Sequence, residues 1–293
     1  MTSKHLIVIS CENHDYHGWQ AMVATYSCMQ HQRVVPMLVV HGAVEDGLHP
    51  MFAACKRAGA LVLPSRNYAG TDPAWKARNC VASMRDAAAF AGQLGADHLV
   101  VMDPDLVWTS RVCWPSSLAT DRATLDGIQS VEAEAICAKR GITLPDDPAV
   151  ALGCRVPYVV PADLAEPIGA VWWDIMEDFL CVGWTWTDQM VAFSLALAEL
   201  GLMPEIRRFA QTNHEHDAEP DAAMIHYAHE TPCWDKGWFA RSGEGEWPDL
   251  WNPPFLPLDT VQGRVCREIR RTRAFFDQLG AEQPQPVNGA QCA

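Results

Sequence analysis

Two carboxylates stand one residue apart directly after an apolar run. The run covers residues 99–102, and Asp103 and Asp105 follow it with Pro104 between them. Side chains at positions i and i+2 of an extended segment point to the same side, so both carboxylates can converge on one divalent cation. Such an ion would in turn bind a diphosphate. Asp-Pro is also common in turns, and the same residues suit a polar strand end without a ligand.

His226 is the candidate for a third metal ligand. It follows two apolar residues in a short strand that the sequence predicts over 224–227. An imidazole beside two carboxylates suits Mn²⁺ or a similar divalent ion. A single histidine in such a place is equally common as a core residue that is hydrogen-bonded to the backbone.

Lys236 and three residues near the start of a predicted helix are candidates for contacts with phosphate or ribose. Lys236 lies in a stretch rich in Gly and Trp, which predicts a loop that folds over a ligand. Lys76, Arg78 and Asn79 follow a predicted N-cap, where the positive end of the helix favours phosphate. An ordinary exposed lysine is the alternative interpretation of Lys236.

Asp188 and Gln189 open a predicted helix over 190–200, close in sequence to several tryptophans. An acid at this position can hold an acceptor hydroxyl, orient a sugar or act as a base. An acidic residue at a helix start is also favoured by the helix dipole alone. The chain contains no sequence pattern of a serine nucleophile elbow, a P-loop, a dinucleotide fold or a zinc protease, which adds weight to the aspartate pair.

The first hundred residues alternate between strand and helix patterns. Strands are predicted over 6–10, 34–40, 60–63 and up to 102, and helices over 18–32, 50–58 and 72–92. This alternation predicts an α/β fold with a mostly parallel sheet flanked by helices. Ligands of such sheets bind beyond the carboxyl ends of the strands. Asp103 falls there together with Tyr16, which follows the first strand, and both are therefore candidates for contact with a bound nucleotide.

The rest of the chain is less regular. Helices are predicted over 125–140 and 162–179, and a C-terminal helix over 261–279. Residues 157–161, bounded by prolines, are predicted to be extended, residues 211–220 to form a polar loop, and residues 281–293 to form a disordered tail. Five arginines between 264 and 273 suit either a solvated basic face of the C-terminal helix or contact with an anionic partner.

The composition indicates a globular protein, since 49% of its 293 residues are hydrophobic. Acidic side chains outnumber basic ones by 36 to 22, and the formal charge of -14 disfavours nucleic acid and anionic membranes as partners. No apolar run approaches the roughly 18 residues needed to span a bilayer, and no signal peptide is recognisable. We therefore expect a cytoplasmic protein with reduced cysteines and no membrane partner.

Seven short motifs, taken together, resemble glycosyltransferases of the GT-A fold, and more narrowly the plant hydroxyproline O-arabinosyltransferases and peptidyl-serine galactosyltransferases. They begin with Tyr-x-x-Trp-Gln at 16–20 and Val-Met-Asp-Pro-Asp at 101–105, and continue at 157–158, 168–172, 186–193, 225–227 and 245–247. Their order along most of the chain matches that of the family. The resemblance implies a GT-A-like domain over 1–260, with a nucleotide-binding half near 1–110 and an acceptor half near 111–260, followed by the helix 261–280.

The resemblance also implies roles for individual residues. Asp103 and Asp105 would contact the metal and the ribose, and His226 would complete the protein's ligands to the metal. Lys236 would contact the diphosphate. The helix opening Trp-x-x-Glu-Met of the family appears at 186–190 with Gln189 in the place of the acid and Asp188 one position earlier. An Asp-Gln pair also occurs in this region of retaining galactosyltransferases of the same fold, so the resemblance favours retention at the anomeric carbon.

We therefore expect a metal-dependent glycosyltransferase that uses Mn²⁺ or Mg²⁺. It would move a sugar from a nucleotide diphosphate donor, UDP-linked, to a hydroxyl of a peptide, a small molecule or a modified base. The alternatives are a nucleotide-sugar pyrophosphorylase or hydrolase that uses the same aspartates, and a non-catalytic protein that binds nucleotide sugars. The arginines of the C-terminal helix leave a nucleic-acid acceptor open as well.

Overall fold

A computed structural model describes residues 4–70, 77–122, 131–143, 154–182, 188–212, 223–227 and 250–280. The strands are β1 (His5–Glu12), β2 (Met37–His41), β3 (Leu61–Ser65), β4 (His98–Met102), β5 (Leu106–Trp108), β6 (Ala119–Arg122), β7 (Cys154–Pro161), β8 (Glu205–Arg207), β9 (Ala210–Thr212) and β10 (Met224–His226). The helices are α1 (Asp15–Ser27), α2 (Ala43–Asp46), α3 (Pro50–Arg57), α4 (Ala77–Leu94), α5 (Val131–Arg140), α6 (Ala165–Val182), α7 (Asp188–Glu199) and α8 (Val261–Gln278). A π-helical turn, Cys28–Gln32, follows α1.

The described strands form one large and one small sheet. The large sheet has seven strands in the order β3-β2-β1-β4-β7-β6-β8, and the small sheet has three in the order β5-β10-β9. Because the large sheet is mostly parallel and flanked by helices, the predicted α/β class is confirmed, as is the C-terminal helix. Within the described ranges, no helix has both the length and the apolar character that crossing a membrane requires.

The chain divides into two compact units, each built from separate segments of the sequence. The first comprises the described residues of 1–10, 65–103 and 114–208. The second comprises those of 11–64, 104–113 and 209–293. Neither unit is therefore a single continuous stretch of the chain.

Aromatic side chains from three elements fill the core of the first unit. Tyr158 of β7, Trp172 of α6 and Phe193 of α7 are fully buried. The rings of Tyr158 and Phe193 stack with centroids 3.9 Å apart, and Trp172 meets Phe193 edge-on at 4.9 Å. The indole N–H of Trp172 donates to the carbonyl oxygen of Gln189 at 3.1 Å, which fixes the start of α7 against α6.

Helix α1 occupies the centre of the second unit, where it contacts α3, α8 and β5. Its residues 18–25 are all buried, as expected for a helix that is covered on every side. The hydroxyl of Ser27 accepts the N–H of Trp108 at 3.3 Å and thereby joins the end of α1 to β5. On another side, the ring of Tyr26 packs against Phe275 of α8 with centroids 5.3 Å apart.

The predicted helix over 18–32 differs from the structure at both ends. Helix α1 begins at Asp15, because the imidazole of His14 accepts the N–H of His17 and acts as an N-cap, a role in which Ser, Thr, Asp and Asn are the usual residues. Its regular part ends at Ser27, and the π-helical turn replaces the expected last turn. Arg33 then takes a left-handed conformation with a φ of 57° and ends the helix.

Gln32, the last residue of the π-helical turn, binds the segment that follows β5. Its Nε2 donates to the carbonyl oxygen of Ser110 at 2.9 Å, and its Oε1 accepts the N–H of Val112 at 3.2 Å. Both polar groups of this buried amide are thus satisfied by main-chain partners.

Several strands lie where the sequence predicts irregular structure. Strands β6 and β8 pair in parallel, and β6 also pairs with β7 in antiparallel orientation. Strand β9 includes residues 211–212, so the predicted loop over 211–220 is wrong at its start. These strands have three or four residues and show no clear alternation of apolar and polar side chains. They are held by pairing with other strands, which a local sequence pattern does not reveal. The predicted helix start at 72 and the predicted tail at 281–293 lie outside the described residues.

A buried carboxylate holds the C-terminal helix. Glu268 is fully buried, and its Oε1 accepts hydrogen bonds from Arg267 at 2.9 Å and Arg271 at 3.2 Å, while Nε2 of His31 lies 3.5 Å from its Oε2. Burial by itself raises the pKa of Glu268, but His31 and the two arginines outweigh burial and lower the pKa below its ordinary value of 4.5. The ionised form therefore stabilises the fold.

We predict that Glu268→Gln lowers the free energy of unfolding by about 2 kcal/mol at neutral pH, because it removes a buried charge from its cationic partners. A lowered pKa in the folded state gives stability that is present above the ordinary pKa and is lost as the pH falls through the folded-state pKa. The difference between wild type and variant should therefore shrink as the pH falls below 4.5. Urea unfolding at several pH values measures it.

Asp277→Asn is the matched control, since Asp277 is an exposed acid of the same helix, 3.7 Å from Arg273. An exposed ion pair of this kind contributes under about 1 kcal/mol. Equal destabilisation by the two variants, or a Glu268→Gln effect that does not depend on pH, would contradict the prediction.

Candidate metal centre

Strand β4 brings the first carboxylate to the end of the sheet. All five of its residues are buried, and it runs parallel to β1 with Ile9 opposite Met102. The half-buried Asp103 follows immediately. Pro104 and Asp105 then form a turn, and β5 begins at the next residue. The buried strand and the polar residues at its end thus lie where the sequence predicts them.

The second sheet brings His226 to Asp105. Strand β10 pairs with β5 in antiparallel orientation, with His226 opposite Leu106. The N–H of Tyr227 donates to the carbonyl oxygen of Asp105 at 3.1 Å and extends the ladder by one residue. In this register Nε2 of His226 lies 3.2 Å from Oδ1 of Asp105. Two ligands that are each about 2.1 Å from one ion at a right angle are about 3 Å apart, so this spacing fits a shared metal.

Two of the three predicted metal ligands, Asp105 and His226, lie close together within the second unit. Asp103 precedes Asp105 by two positions along the chain. Asp105 is only 7% exposed, and His226 is half-buried. Two carboxylates and one imidazole form a donor set for Mn²⁺ or another borderline divalent ion, and a carboxylate-rich set also accepts Mg²⁺.

Tyr227 also belongs to this region, and the sequence pattern does not predict a role for it here. It is fully buried, and burial raises the pKa of its phenol well above the ordinary value, with further increases from Asp105, Tyr16 and Cys11. The phenol therefore stays protonated, and its O–H donates to the carbonyl oxygen of Pro104 at 3.5 Å. Tyr227 thus holds the Pro104–Asp105 turn from both its main chain and its side chain.

Tyr16 lies in the first turn of α1 and is half-buried. Its ring meets Trp19 edge-on at 6.3 Å, and Trp19 lies 6.0 Å from the ring of Tyr227. These three aromatic rings therefore form a row from the start of α1 to Tyr227, whose N–H binds the carbonyl oxygen of Asp105. The proposed contact of Tyr16 with a bound nucleotide stays a prediction.

Arg78 and Asn79 lie in the first turn of α4 and are engaged by other residues of the first unit. Nη2 of Arg78 donates to Oε2 of Glu177 at 2.6 Å. Oδ1 of Asn79 accepts the N–H of Tyr68 at 3.0 Å, and its Nδ2 donates to Asn67 at 3.3 Å. A phosphate at this position would have to share these groups with their present partners. Lys76 and Lys236 lie outside the described residues.

Asp188 and Gln189 are the first two residues of α7, as expected from the helix pattern. Both are buried, at 4% and 5% exposure. The carbonyl oxygen of Gln189 is held by the indole of Trp172. Their position at a helix start is therefore established for the first unit, and their catalytic role remains a prediction.

The arginines of α8 make contacts within the chain. Arg267 and Arg271 bind Glu268, Arg264 donates to the carbonyl oxygen of Leu258, Arg270 donates to those of Pro253 and Pro254 and covers the ring of Phe255, and Arg273 pairs with Asp277. These contacts favour a structural role for this face of the helix over contact with a nucleic acid.

No protein-family model matches the chain, and no curated protein matches it in sequence. The resemblance to GT-A glycosyltransferases therefore rests on the short motifs alone.

We predict that Asp105→Asn and His226→Ala each weaken Mn²⁺ binding at least about tenfold, because each removes one of the predicted metal ligands. Isothermal titration of the metal, or electron paramagnetic resonance of free Mn²⁺, measures the affinity. Asp46→Asn, which changes an exposed acid of the second unit, is the control and should bind Mn²⁺ as wild type does. Wild-type affinity in Asp105→Asn would exclude Asp105 as a ligand.

Proposed function

We propose that the chain is a metal-dependent glycosyltransferase that moves a sugar from a nucleotide diphosphate donor, with UDP as the expected nucleotide, to a hydroxyl acceptor. The observation that carries the proposal is the carboxylate–imidazole pair of Asp105 and His226, preceded two positions earlier by Asp103. The α/β class and the order of the motifs support it. A carboxylate-rich metal centre next to the end of a buried strand suits a diphosphate ligand.

The proposed residues fall into two groups, one that acts on the leaving diphosphate and one that acts on the acceptor. In the transfer, the bond between the anomeric carbon and the diphosphate oxygen breaks, a bond to the acceptor oxygen forms, and the proton of the acceptor hydroxyl passes to the leaving diphosphate. A divalent ion held by Asp103, Asp105 and His226 would neutralise the negative charge that develops on the leaving diphosphate. Lys236 would add a positive charge to the same group.

The acceptor side of the proposal rests on Asp188. A carboxylate at the start of α7 can orient the acceptor hydroxyl or stabilise positive charge on the sugar ring. With Gln189 at the next position, the helix opening resembles that of retaining enzymes, so we propose retention at the anomeric carbon. We also propose a cytoplasmic location, since seven of the nine described cysteines are buried free thiols, which fit a reducing compartment.

A thermal-shift screen of UDP-, GDP- and ADP-sugars with and without Mn²⁺ tests the donor and the metal together. A ligand that binds the folded state raises the melting temperature by mass action. We expect the largest rise with a UDP-sugar and Mn²⁺ together. No rise with any nucleotide sugar in the presence of Mn²⁺ would contradict the proposal.

Product analysis then separates the alternatives. A transferase consumes the donor faster when an acceptor is present, whereas a hydrolase does so with water alone and a pyrophosphorylase needs pyrophosphate and yields a sugar phosphate. A binding protein would bind the donor and Mn²⁺ without any turnover. Binding to DNA that weakens steeply with rising salt would support a nucleic-acid acceptor, and no binding at low salt would exclude it.

We predict that Asp188→Asn lowers kcat by about 10²-fold or more and leaves the affinity for the donor and Mn²⁺ within about twofold of wild type. The reason is that Asp188 acts on the acceptor in this proposal and does not hold the diphosphate. Asp163→Asn, an exposed acid of the same unit, is the control. If Asp188→Asn turns over the donor at the wild-type rate, Asp188 is not catalytic.

A further inference from the structure

A second group of metal-ligating side chains lies where β1 turns into α1. Glu12 is the last residue of β1, His14 is the N-cap of α1, and His17 lies in the first turn of the helix. One ligand atom from each lies within 4.8 Å of the other two, and all three side chains are half-buried. The ligands therefore come from six consecutive residues in the order Glu-x-His-x-x-His.

The contacts within this group already place its donor atoms. Nε2 of His14 lies at the hydrogen-bond distance of 2.9 Å from Oε2 of Glu12, and a separation of about 3.3 Å would let both bind one tetrahedral ion. Nδ1 of His17 accepts the main-chain N–H of Glu12 at 2.9 Å, so this nitrogen carries no proton and has its lone pair directed toward the turn. A metal would replace the proton between His14 and Glu12 and would compete with one main-chain hydrogen bond.

Main-chain contacts hold the turn that carries these ligands. The N–H of Asn13 donates to the carbonyl oxygen of His41 at 2.9 Å. The side chain of Asn13 donates to the carbonyl oxygen of Gly47 at 2.7 Å and accepts the N–H of His49 at 2.9 Å. Because the residue between Glu12 and His14 is fixed in this way, the two ligands lose little conformational freedom when a metal binds.

Charges that favour a cation and charges that oppose one both lie around this group. The positive end of the α1 dipole opposes a cation at this position. Glu12 carries a negative charge, and Asp15, in the first turn of the same helix, carries another. Oδ1 of Asp15 lies 2.6 Å from Nε2 of His49. The carboxylate of Glu12 thus remains the main anionic donor of the group.

We propose that Glu12, His14 and His17 form a second metal site that binds Zn²⁺ or a similar borderline ion. Two imidazoles and one carboxylate form a donor set that occurs at zinc sites, and they leave a fourth position for water or another ligand. Hard ions such as Mg²⁺ and Ca²⁺ bind poorly to imidazole. The site differs in donor balance from the Asp103–Asp105–His226 group, which has two carboxylates, and it does not depend on the proposed glycosyltransferase activity.

Zinc titration of the Asp105→Asn variant tests the site, because this background weakens binding at the other predicted metal centre. We expect one equivalent of Zn²⁺ to bind, and His14→Ala and His17→Ala each to weaken that binding at least about tenfold. His5→Gln changes a half-buried histidine of the first unit and should leave Zn²⁺ binding unchanged. The same zinc affinity in all these variants would overturn the proposal.

Spectroscopy of the wild-type chain gives a second test, which does not require any variant to fold. After Co²⁺ replaces Zn²⁺, a four-coordinate site gives strong visible absorption, whereas Co²⁺ bound mainly by water absorbs weakly. X-ray absorption of the zinc-loaded chain should show two imidazole ligands and at least one oxygen ligand. A zinc environment without imidazole would overturn the proposal even if His14→Ala or His17→Ala fails to fold.

Discussion

Main-chain hydrogen bonds between β5 and β10 hold Asp105 and His226 in place. Three residue pairs and the bond from the N–H of Tyr227 to the Asp105 carbonyl fix the register of these short strands. A shift by one residue would turn the imidazole to the opposite face of the sheet. The distance between the carboxylate and the imidazole is therefore set by backbone geometry on both sides and needs little ordering of side chains when a metal binds.

In the described part of the second unit, buried carboxylates occur at two places and have partners of different kinds. Glu268 accepts hydrogen bonds from two guanidinium groups, which cannot bind a metal, and it also lies 3.5 Å from the imidazole of His31; with its oxygen Oε1 taken by the two arginines, this carboxylate serves the fold. Asp105 faces the imidazole of His226, which is itself a metal ligand. A buried carboxylate is costly without a compensating group. The two carboxylates therefore differ in their partners: Glu268, with two arginines, holds a helix, and Asp105, with an imidazole, is suited to a cation.

The sequence predicts the parts of the site that depend on local pattern. The buried run before Asp103 and the helix that starts at Asp188 lie where the apolar spacing indicates, because burial of a strand or helix face is visible in a few neighbouring residues. Contacts between distant segments are not visible in this way. The hydrogen bond from Tyr227 to the Pro104–Asp105 turn depends on strand register. The sequence also does not predict the grouping of side chains that begins at Glu12, because a histidine is an unusual N-cap.

The side-chain amide of Gln32 has a consequence for how the metal centre is assembled. Its two hydrogen bonds to the main chain at Ser110 and Val112 hold that segment in one alignment, since the amide needs one carbonyl oxygen and one N–H at this spacing. The amide therefore fixes the number of residues that can lie between Asp105 and the end of β5. An insertion or deletion in that stretch would misalign these bonds, so we expect its length to tolerate no change even though none of its residues binds the metal.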